Sequence, residues 1–68
     1  MILNLTATGK KKARDIQGKG IEQSVLASID ENGPASLEEL SKDVNTDMGT
    51  MKNVAIKLAN SGLIRKED

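Results

Sequence analysis

The sequence contains no cysteine and no histidine among its 68 residues. Without cysteine it cannot form disulfides or thiolate metal sites. Without histidine it lacks imidazole ligands, the usual general base and any Ser–His or Cys–His nucleophile. A Gly-rich phosphate-binding loop is also missing, so the usual catalytic groups cannot be assembled. We therefore expect a protein that is not an enzyme and that holds neither cofactor nor metal.

Aromatic residues are absent as well, although hydrophobic residues make up 37% of the chain. The core must therefore consist of Ile, Leu, Val, Met and Ala, which bury less area per residue than Phe or Trp. In a chain this short, such a core rarely supplies more than ~3–5 kcal/mol, so dimerisation or docking on a partner would supplement it. The absence of aromatics also argues against single-stranded nucleic acid, which is normally bound by base stacking.

Long apolar runs are missing too. No run can span a bilayer, and Met1–Leu5 is too short for the core of a signal peptide. The length is that of one small domain, near the size at which a single core barely holds together. We expect a single domain over residues 1–68 that is soluble, cytoplasmic and not associated with a membrane.

The ten basic and ten acidic residues give a net charge of zero, but they are distributed unevenly. The first twenty residues are mainly basic, with Lys10, Lys11, Lys12, Arg14 and Lys19. The middle of the chain is mainly acidic, with Glu22, Asp30, Glu31, Glu38, Glu39, Asp43 and Asp47. Basic residues return after Met48, namely Lys52, Lys57, Arg65 and Lys66. A fold that brings the two ends together would present one basic face.

The first twenty residues predict a short strand followed by a basic helix. The apolar run Ile2–Leu5 is plausible as a strand. Either Thr6 or Thr8 can cap the helix that follows over residues 10–17. The stretch Gly18–Gly20, with a glycine on each side of a lysine, predicts a flexible joint after it.

A stronger helix is predicted over residues 21–31. Its apolar residues form a single stripe, consisting of Ile21, Val25, Leu26 and Ile29. The helix ends at Asn32-Gly33-Pro34, because Gly33 can take a left-handed conformation and proline cannot continue a helix. Ser36 then opens a short third helix with a capping box that Glu39 completes.

A tight turn and a longer helix follow. Asn45 tolerates a positive φ, and Thr46 or Asp47 caps the next helix. That helix runs from about Met48 to Asn60, and Gly62 supplies its left-handed stop. The inward side is predicted to consist of Met48, Met51, Val54, Ala55 and Leu58. The other side consists of Gly49, Asn53, Ile56, Lys57 and Asn60, with Thr50 and Lys52 on the flanks. This spacing is typical of a helix-turn-helix that leads into the first strand of a wing.

Residues 21–66 resemble the winged helix-turn-helix domains of MarR-like and ArsR-like transcription regulators. The resemblance lies in the segments ENGPASLEELSKDVN and TDMGTMKNVAIKLANSGLIRKE. In those domains a GPxSLEEL opening starts the second helix, and the third helix ends in L-x-x-x-G-L-I before a basic residue on the strand. The residues at these last positions are Leu58, Gly62, Leu63, Ile64 and Arg65.

The resemblance implies that the helix at about residues 48–60 lies in the major groove of double-stranded DNA. The residues that would face DNA are Gly49, Thr50, Lys52, Asn53 and Lys57. Asn can pair bidentately with adenine, Lys can reach guanine or phosphate, and Thr can bond a phosphate or touch a thymine methyl group. Gly49 would let the backbone approach closely. Ile56 is unusual on such a face, and it could touch a thymine methyl group or pack under the N-terminal helix.

The sequence departs from the family at the wing, which needs two strands after the third helix, whereas four residues follow Ile64. The stretch ILNLTATGKKKARDI is similar to the segment that closes the wing in MarR-like proteins. We therefore expect Ile2–Leu5 to pair with Leu63–Arg65, giving a permuted winged helix without a wing loop. The expected fold is mainly α with a small two-stranded antiparallel sheet. Residues 1–20 would supply the strand and the basic helix, and residues 21–66 the three-helix core and the C-terminal strand.

The candidate DNA-binding residues are Thr46, Gly49, Thr50, Lys52, Asn53, Lys57, Lys10, Lys11, Lys12 and Arg65. For the helix the alternative is an ordinary polar surface, and for Lys10–Lys12 it is a solvated charge run instead of a phosphate-contacting arm. We expect a double-stranded DNA-binding transcription regulator, acting as a homodimer because one helix in one groove gives little affinity alone. The alternative is a winged-helix module that binds another protein without contacting DNA, which the neutral net charge favours.

Overall fold

A computed structural model describes residues 1–15 and 18–67. Its elements are β1 (Ile2–Leu5), α1 (Ala7–Ala13), α2 (Gly20–Asn32), β2 (Ala35–Ser36), α3 (Leu37–Asp43), α4 (Met48–Asn60) and β3 (Ile64–Lys66). These described residues form four helices and one three-stranded antiparallel sheet with the strand order β2-β1-β3. The predicted mainly α, winged helix-turn-helix arrangement is confirmed. The sheet has three strands, so the prediction of two strands is wrong.

Strand β1 lies in the centre of the sheet and joins the two ends of the chain. Its partners on β3 are Leu3 with Lys66, Asn4 with Arg65 and Leu5 with Ile64. The ladder extends beyond β3, because the Glu67 N–H donates to the Ile2 carbonyl oxygen at 2.7 Å. The predicted pairing of the N-terminal run with the segment after α4 is therefore confirmed, with β3 beginning at Ile64 instead of Leu63.

The strand that the sequence did not predict is β2. It consists of two residues, Ala35 and Ser36, which pair with Leu3 and Ile2 of β1. A two-residue strand has no alternating pattern to detect, and Ser36 carries the helix-capping signal at the same time. The strand exists because the edge of β1 that faces away from β3 is available for pairing.

Helix α1 begins three residues earlier than predicted. Thr6 is its N-cap, and the Thr6 hydroxyl oxygen accepts a hydrogen bond from the Gly9 N–H at 3.0 Å. The same hydroxyl donates to the Gly62 carbonyl oxygen at 2.6 Å, and so ties the start of α1 to the end of α4. The helix ends at Ala13, and residues 16–17 of the predicted helix lie outside the described residues.

The helix-turn-helix follows its local signals closely. The capping box of α3 is present, with the Ser36 hydroxyl accepting from the Glu39 N–H at 3.1 Å and the Glu39 carboxylate accepting from the Ser36 N–H at 3.2 Å. In the turn, Asn45 has a φ of 55°. Asp47 caps α4, which runs over the predicted residues. Gly62 has a φ of 75°, as predicted for the stop.

The core is one cluster of aliphatic side chains between the sheet and the helices. Its buried members are Leu3, Leu5, Val25, Leu26, Ile29, Ala35, Leu40, Met51, Val54, Ala55, Leu58 and Ile64. Every element except α1 contributes to it, and α1 adds only the partly buried Ala13. The buried side of α4 supplies four of these residues, so its opposite side is held facing outward.

Candidate nucleic-acid interface

One side of α4 is buried in the core and the other is exposed to solvent. The buried side consists of Met51, Val54, Ala55 and Leu58. Met48, predicted to face inward, is instead 48% exposed, because it lies at the first position of the helix, where its sulfur accepts from the Ser41 hydroxyl at 3.5 Å. The candidate residues Gly49, Thr50, Lys52, Asn53 and Lys57 are all exposed, as predicted.

The residues that point most directly away from the core form a strip along α4. At roughly 100° per residue, this outward strip consists of Gly49, Asn53, Ile56 and Asn60, all exposed. Lys52 and Lys57 lie about 70° to either side of its midline. The strip therefore carries no charged side chain and has one lysine on each flank.

The two flanking lysines have different surroundings. The Lys57 amine lies 3.7 Å from a carboxylate oxygen of Glu22 on α2, and both side chains are substantially exposed. Lys52 lies on the other flank and forms no ion pair with any residue that the structure describes. An exposed ion pair of this kind contributes about 0–1 kcal/mol, so Lys57 can exchange Glu22 for another anion at little cost.

Beside Lys52 the surface contains an apolar groove of about 350 Å³. Its lining consists of Met1, Leu3, Leu37, Lys52, Ala55, Ile56, Ala59 and Lys66. Met1 and Ile56 are 56% and 52% exposed, so both present apolar surface to solvent. No residue of α1 lines this groove, which disfavours the second of the two alternatives for Ile56, packing under the N-terminal helix. In the sequence, the unusual position of Ile56 was the one indication of this groove. The groove forms only when distant parts of the chain come together, so a short window of sequence does not reveal it.

The N-terminus of α4 is occupied by a carboxylate. An Asp47 oxygen accepts from the Thr50 N–H at 3.3 Å. Hydrogen bonds from Thr50, first from its side chain and then from its backbone, hold the pKa of Asp47 below its ordinary value. Thr46 is partly buried, and its N–H donates to the Ser41 carbonyl oxygen at 2.9 Å. Among the candidates, Thr46 is thus the one held within the turn.

Gly49 lies in the first turn of α4, where nothing in the fold requires a glycine. It does not take a positive φ, and a Cβ added there would have one close neighbour, the exposed Asp47 carboxylate oxygen at 3.2 Å. Glycine costs a helix interior about 1 kcal/mol relative to alanine. Its effect here is to leave the helix backbone uncovered on the outward strip.

The remaining basic candidates lie on elements other than α4. Lys10, Lys11 and Lys12 are exposed on α1, where the Gln23 side chain donates to the Lys12 carbonyl oxygen at 2.9 Å. Lys12 lines a second cavity of about 220 Å³ that Leu58 and Leu63 also line. Lys66 borders the apolar groove instead, so the structure does not bring these basic residues into one cavity.

Arg65 is also paired. Its guanidinium donates to the Glu67 carboxylate at 2.9 Å, and both side chains are exposed. The described residues contain no group of acidic side chains arranged to hold a metal ion. Within the same part of the chain, none of the helices is long and apolar enough to cross a bilayer.

A comparison with protein families gives one match. The family model of the MarR family matches residues 22–68, from the first turn of α2 onward, so it includes both helices of the helix-turn-helix. Searches of curated proteins and of solved structures gave no match.

Proposed function

This chain belongs to the MarR family, and on that premise we propose that it is a double-stranded DNA-binding transcription regulator that inserts α4 into the major groove. The observation that carries the proposal is the outward side of α4, an exposed and uncharged strip that includes two asparagines and has one lysine on each flank. The major groove is about 12 Å wide and admits an α-helix. A helix presented in this way has its buried side fixed by the core and its free side available to bases.

The residues of α4 divide by role according to their position. Asn53, on the outward strip, is suited to pair with a base edge, since its amide offers a donor and an acceptor together. Lys52 and Lys57, on the flanks, are suited to the phosphates that border the groove. Gly49 leaves the backbone near the helix N-terminus uncovered. The Thr50 hydroxyl beside it would have to exchange Asp47 for a phosphate.

The basic residues outside α4 would add contacts that do not depend on base sequence. We assign Lys10, Lys11, Lys12 and Arg65 to phosphates beyond the edges of the groove, and Thr46 to the phosphate nearest the turn. Arg65 would have to exchange Glu67 for phosphate, which costs little because the pair is exposed. These contacts would raise affinity without adding specificity.

We also propose that the chain acts on DNA as a homodimer. One helix in one groove gives little affinity, and dimers of helix-turn-helix proteins bind half-sites about one helical turn apart. A small aliphatic core also favours a stabilising partner. The measurement is sedimentation with and without duplex DNA, and a strictly monomeric chain on DNA would contradict this part of the proposal.

A second candidate function is a protein-binding module that does not contact DNA. The apolar groove favours it, because Met1 and Ile56 place exposed apolar surface next to Lys52. Such a groove is a common form of protein-docking surface. The two functions place different demands on α4 and can be separated by experiment.

The experiment is an amide-shift titration with duplex DNA of mixed sequence at low and moderate salt. DNA binding predicts shifts over residues 46–57 and 10–19, with log K falling by about 0.9 per neutralised phosphate as log salt rises. No shift at low salt would remove the DNA-binding proposal in favour of the protein-binding one.

Substitutions locate the contact surface. The double variant Lys52→Ala, Asn53→Ala should bind DNA much more weakly than the wild type. The matched control is Lys42→Ala on α3, which removes one exposed lysine whose partner is Glu38 at 3.6 Å. Unchanged binding by the double variant would place the DNA contact away from α4.

A further inference from the structure

The chemistry of the outward strip limits which bases α4 can read. Gly49, Asn53, Ile56 and Asn60 offer two amides, one aliphatic side chain and bare backbone, with no charged group among them. The commonest contact to guanine is a bidentate pair from Arg or Lys. The two lysines of the helix lie on its flanks, toward the position of phosphates, so the strip is poorly equipped for guanine.

Asparagine and isoleucine both suit A·T base pairs. The Asn side chain pairs bidentately with adenine N6 and N7, and an apolar side chain contacts the C5-methyl group of thymine. Residues three apart on a helix have Cβ atoms about 5–6 Å apart, and neighbouring base pairs are about 3.4 Å apart. Asn53 and Ile56 can therefore address one A·T pair or two adjacent ones.

Ile56 lies on the outward strip and also borders the apolar groove, but it is not needed to complete the core. The residue is 52% exposed and is not a member of the buried core. The core is completed on this side of α4 by Ala55, which is 6% exposed. An isoleucine on the outward strip therefore leaves apolar surface in water that a bound thymine methyl group would cover.

We propose that Ile56 is a specificity-determining residue that contacts thymine methyl groups, so that the DNA recognised by α4 is rich in A·T pairs at the position of this helix. The proposal rests on the DNA-binding function proposed above. In this proposal Asn53 and Ile56 contact the bases, and Lys52 and Lys57 contact only the phosphates.

The test compares duplexes that differ by the methyl group and little else. The full chain is titrated, at low salt, with a 24-bp duplex of alternating dA and dT and with the same duplex carrying deoxyuridine in place of thymidine. Uracil keeps the hydrogen-bonding edge of thymine and lacks its methyl group. Burying one methyl group is worth about a fourfold change in affinity, so the uracil duplex should bind at least that much more weakly.

Two variants distinguish a contact between Ile56 and the thymine methyl group from an effect of that methyl group on the stiffness of the DNA. Ile56→Ala should lose the preference for thymine over uracil, because the apolar contact is removed. Lys52→Ala should weaken binding to both duplexes by the same factor and leave the preference intact. Circular dichroism and the thermal midpoint of each variant report whether the fold is retained, and Ile56→Val provides a milder change if Ile56→Ala unfolds.

The outcomes are distinguishable. If the wild type binds both duplexes equally, the role of Ile56 is overturned while DNA binding stands. If Ile56→Ala keeps the thymine preference, that preference comes from the stiffness of the DNA and the role of Ile56 is again overturned. If neither duplex binds at low salt, the DNA-binding function itself fails.

Discussion

The carbonyl oxygen of Leu63 occupies the space that a Cβ of Gly9 would fill. This contact packs α1 against the exit of α4, next to the hydrogen bond from the Thr6 N–H to the same carbonyl at 3.1 Å. A side chain at Gly9 would therefore have to displace backbone, not the flexible end of another side chain. Glycine is required there by packing and not by an unusual φ.

Replacement of Gly9 by alanine should therefore destabilise the protein, even though alanine is the better helix former. Overpacking of this kind costs about 1–3 kcal/mol. Urea denaturation should show a lower midpoint with an unchanged slope. A variant as stable as the wild type would mean that α1 can move away from Leu63 at no cost.

Gly49→Ala is the contrasting change, because among the described residues outside the backbone of α4 the new Cβ would meet the exposed carboxylate of Asp47 and no packed backbone. We expect the free energy of unfolding to rise by up to about 1 kcal/mol from helix propensity. We expect affinity for duplex DNA to fall, because the methyl group would lie between the helix backbone and the groove. Stability is measured by urea denaturation and affinity by fluorescence anisotropy. A gain in stability with unchanged affinity for DNA would show that Gly49 does not lie in the DNA interface.

These two glycines also illustrate how far the sequence can predict the structure. Asn45, Asp47 and Gly62 each act on their immediate neighbours, so the turn and both ends of α4 were predicted correctly. Gly9 owes its role to Leu63, which is distant in sequence, and its local signal was only a weak helix former. Information that arises from long-range contact cannot be read from a short window of sequence.

The same distinction applies to the candidate site. The 3.6-residue period predicted which side of α4 is exposed, because the four core residues are apolar and most of the others are not, with Ile56 as an exposed exception. It placed Met48 wrongly, since the first position of the helix extends beyond the core. The ion pair of Lys57 with Glu22 joins two helices and had no local signal.

The cap of α4 should make part of the stability depend on pH. Hydrogen bonds from Thr50 lower the pKa of Asp47 in the folded state, so the unfolded chain binds more protons over this range and stability falls as pH falls. The stabilisation from Asp47 is complete above the ordinary pKa of an aspartate. It is lost as the pH falls through the lowered pKa that Asp47 has in the folded state. Asp47→Asn retains a capping side chain and should lose this pH dependence. Thermal midpoints of both proteins between neutral and strongly acidic pH provide the measurement, and parallel curves would contradict it.

The ion pair between α2 and α4 should restrain DNA binding. Glu22 places a carboxylate 3.7 Å from the Lys57 amine, on the flank of α4 assigned to phosphate. Glu22→Gln removes the competing anion and its repulsion of the DNA backbone, so affinity at low salt should increase. Stability should change by less than about 1 kcal/mol, because the pair is exposed.

The matched control for this change is Glu38→Gln, which removes a carboxylate paired with Lys42 on α3 and raises the net charge by the same one unit. Nonspecific electrostatics would raise the affinity of both variants to the same extent. If affinity increases more for Glu22→Gln than for the control, Lys57 can be tested with the double variant Glu22→Gln, Lys57→Ala. Loss of the extra affinity in the double variant would identify Lys57 as the group that Glu22 restrains. An equal increase for both would mean that Glu22 acts only through net charge, and that Lys57 does not contact phosphate.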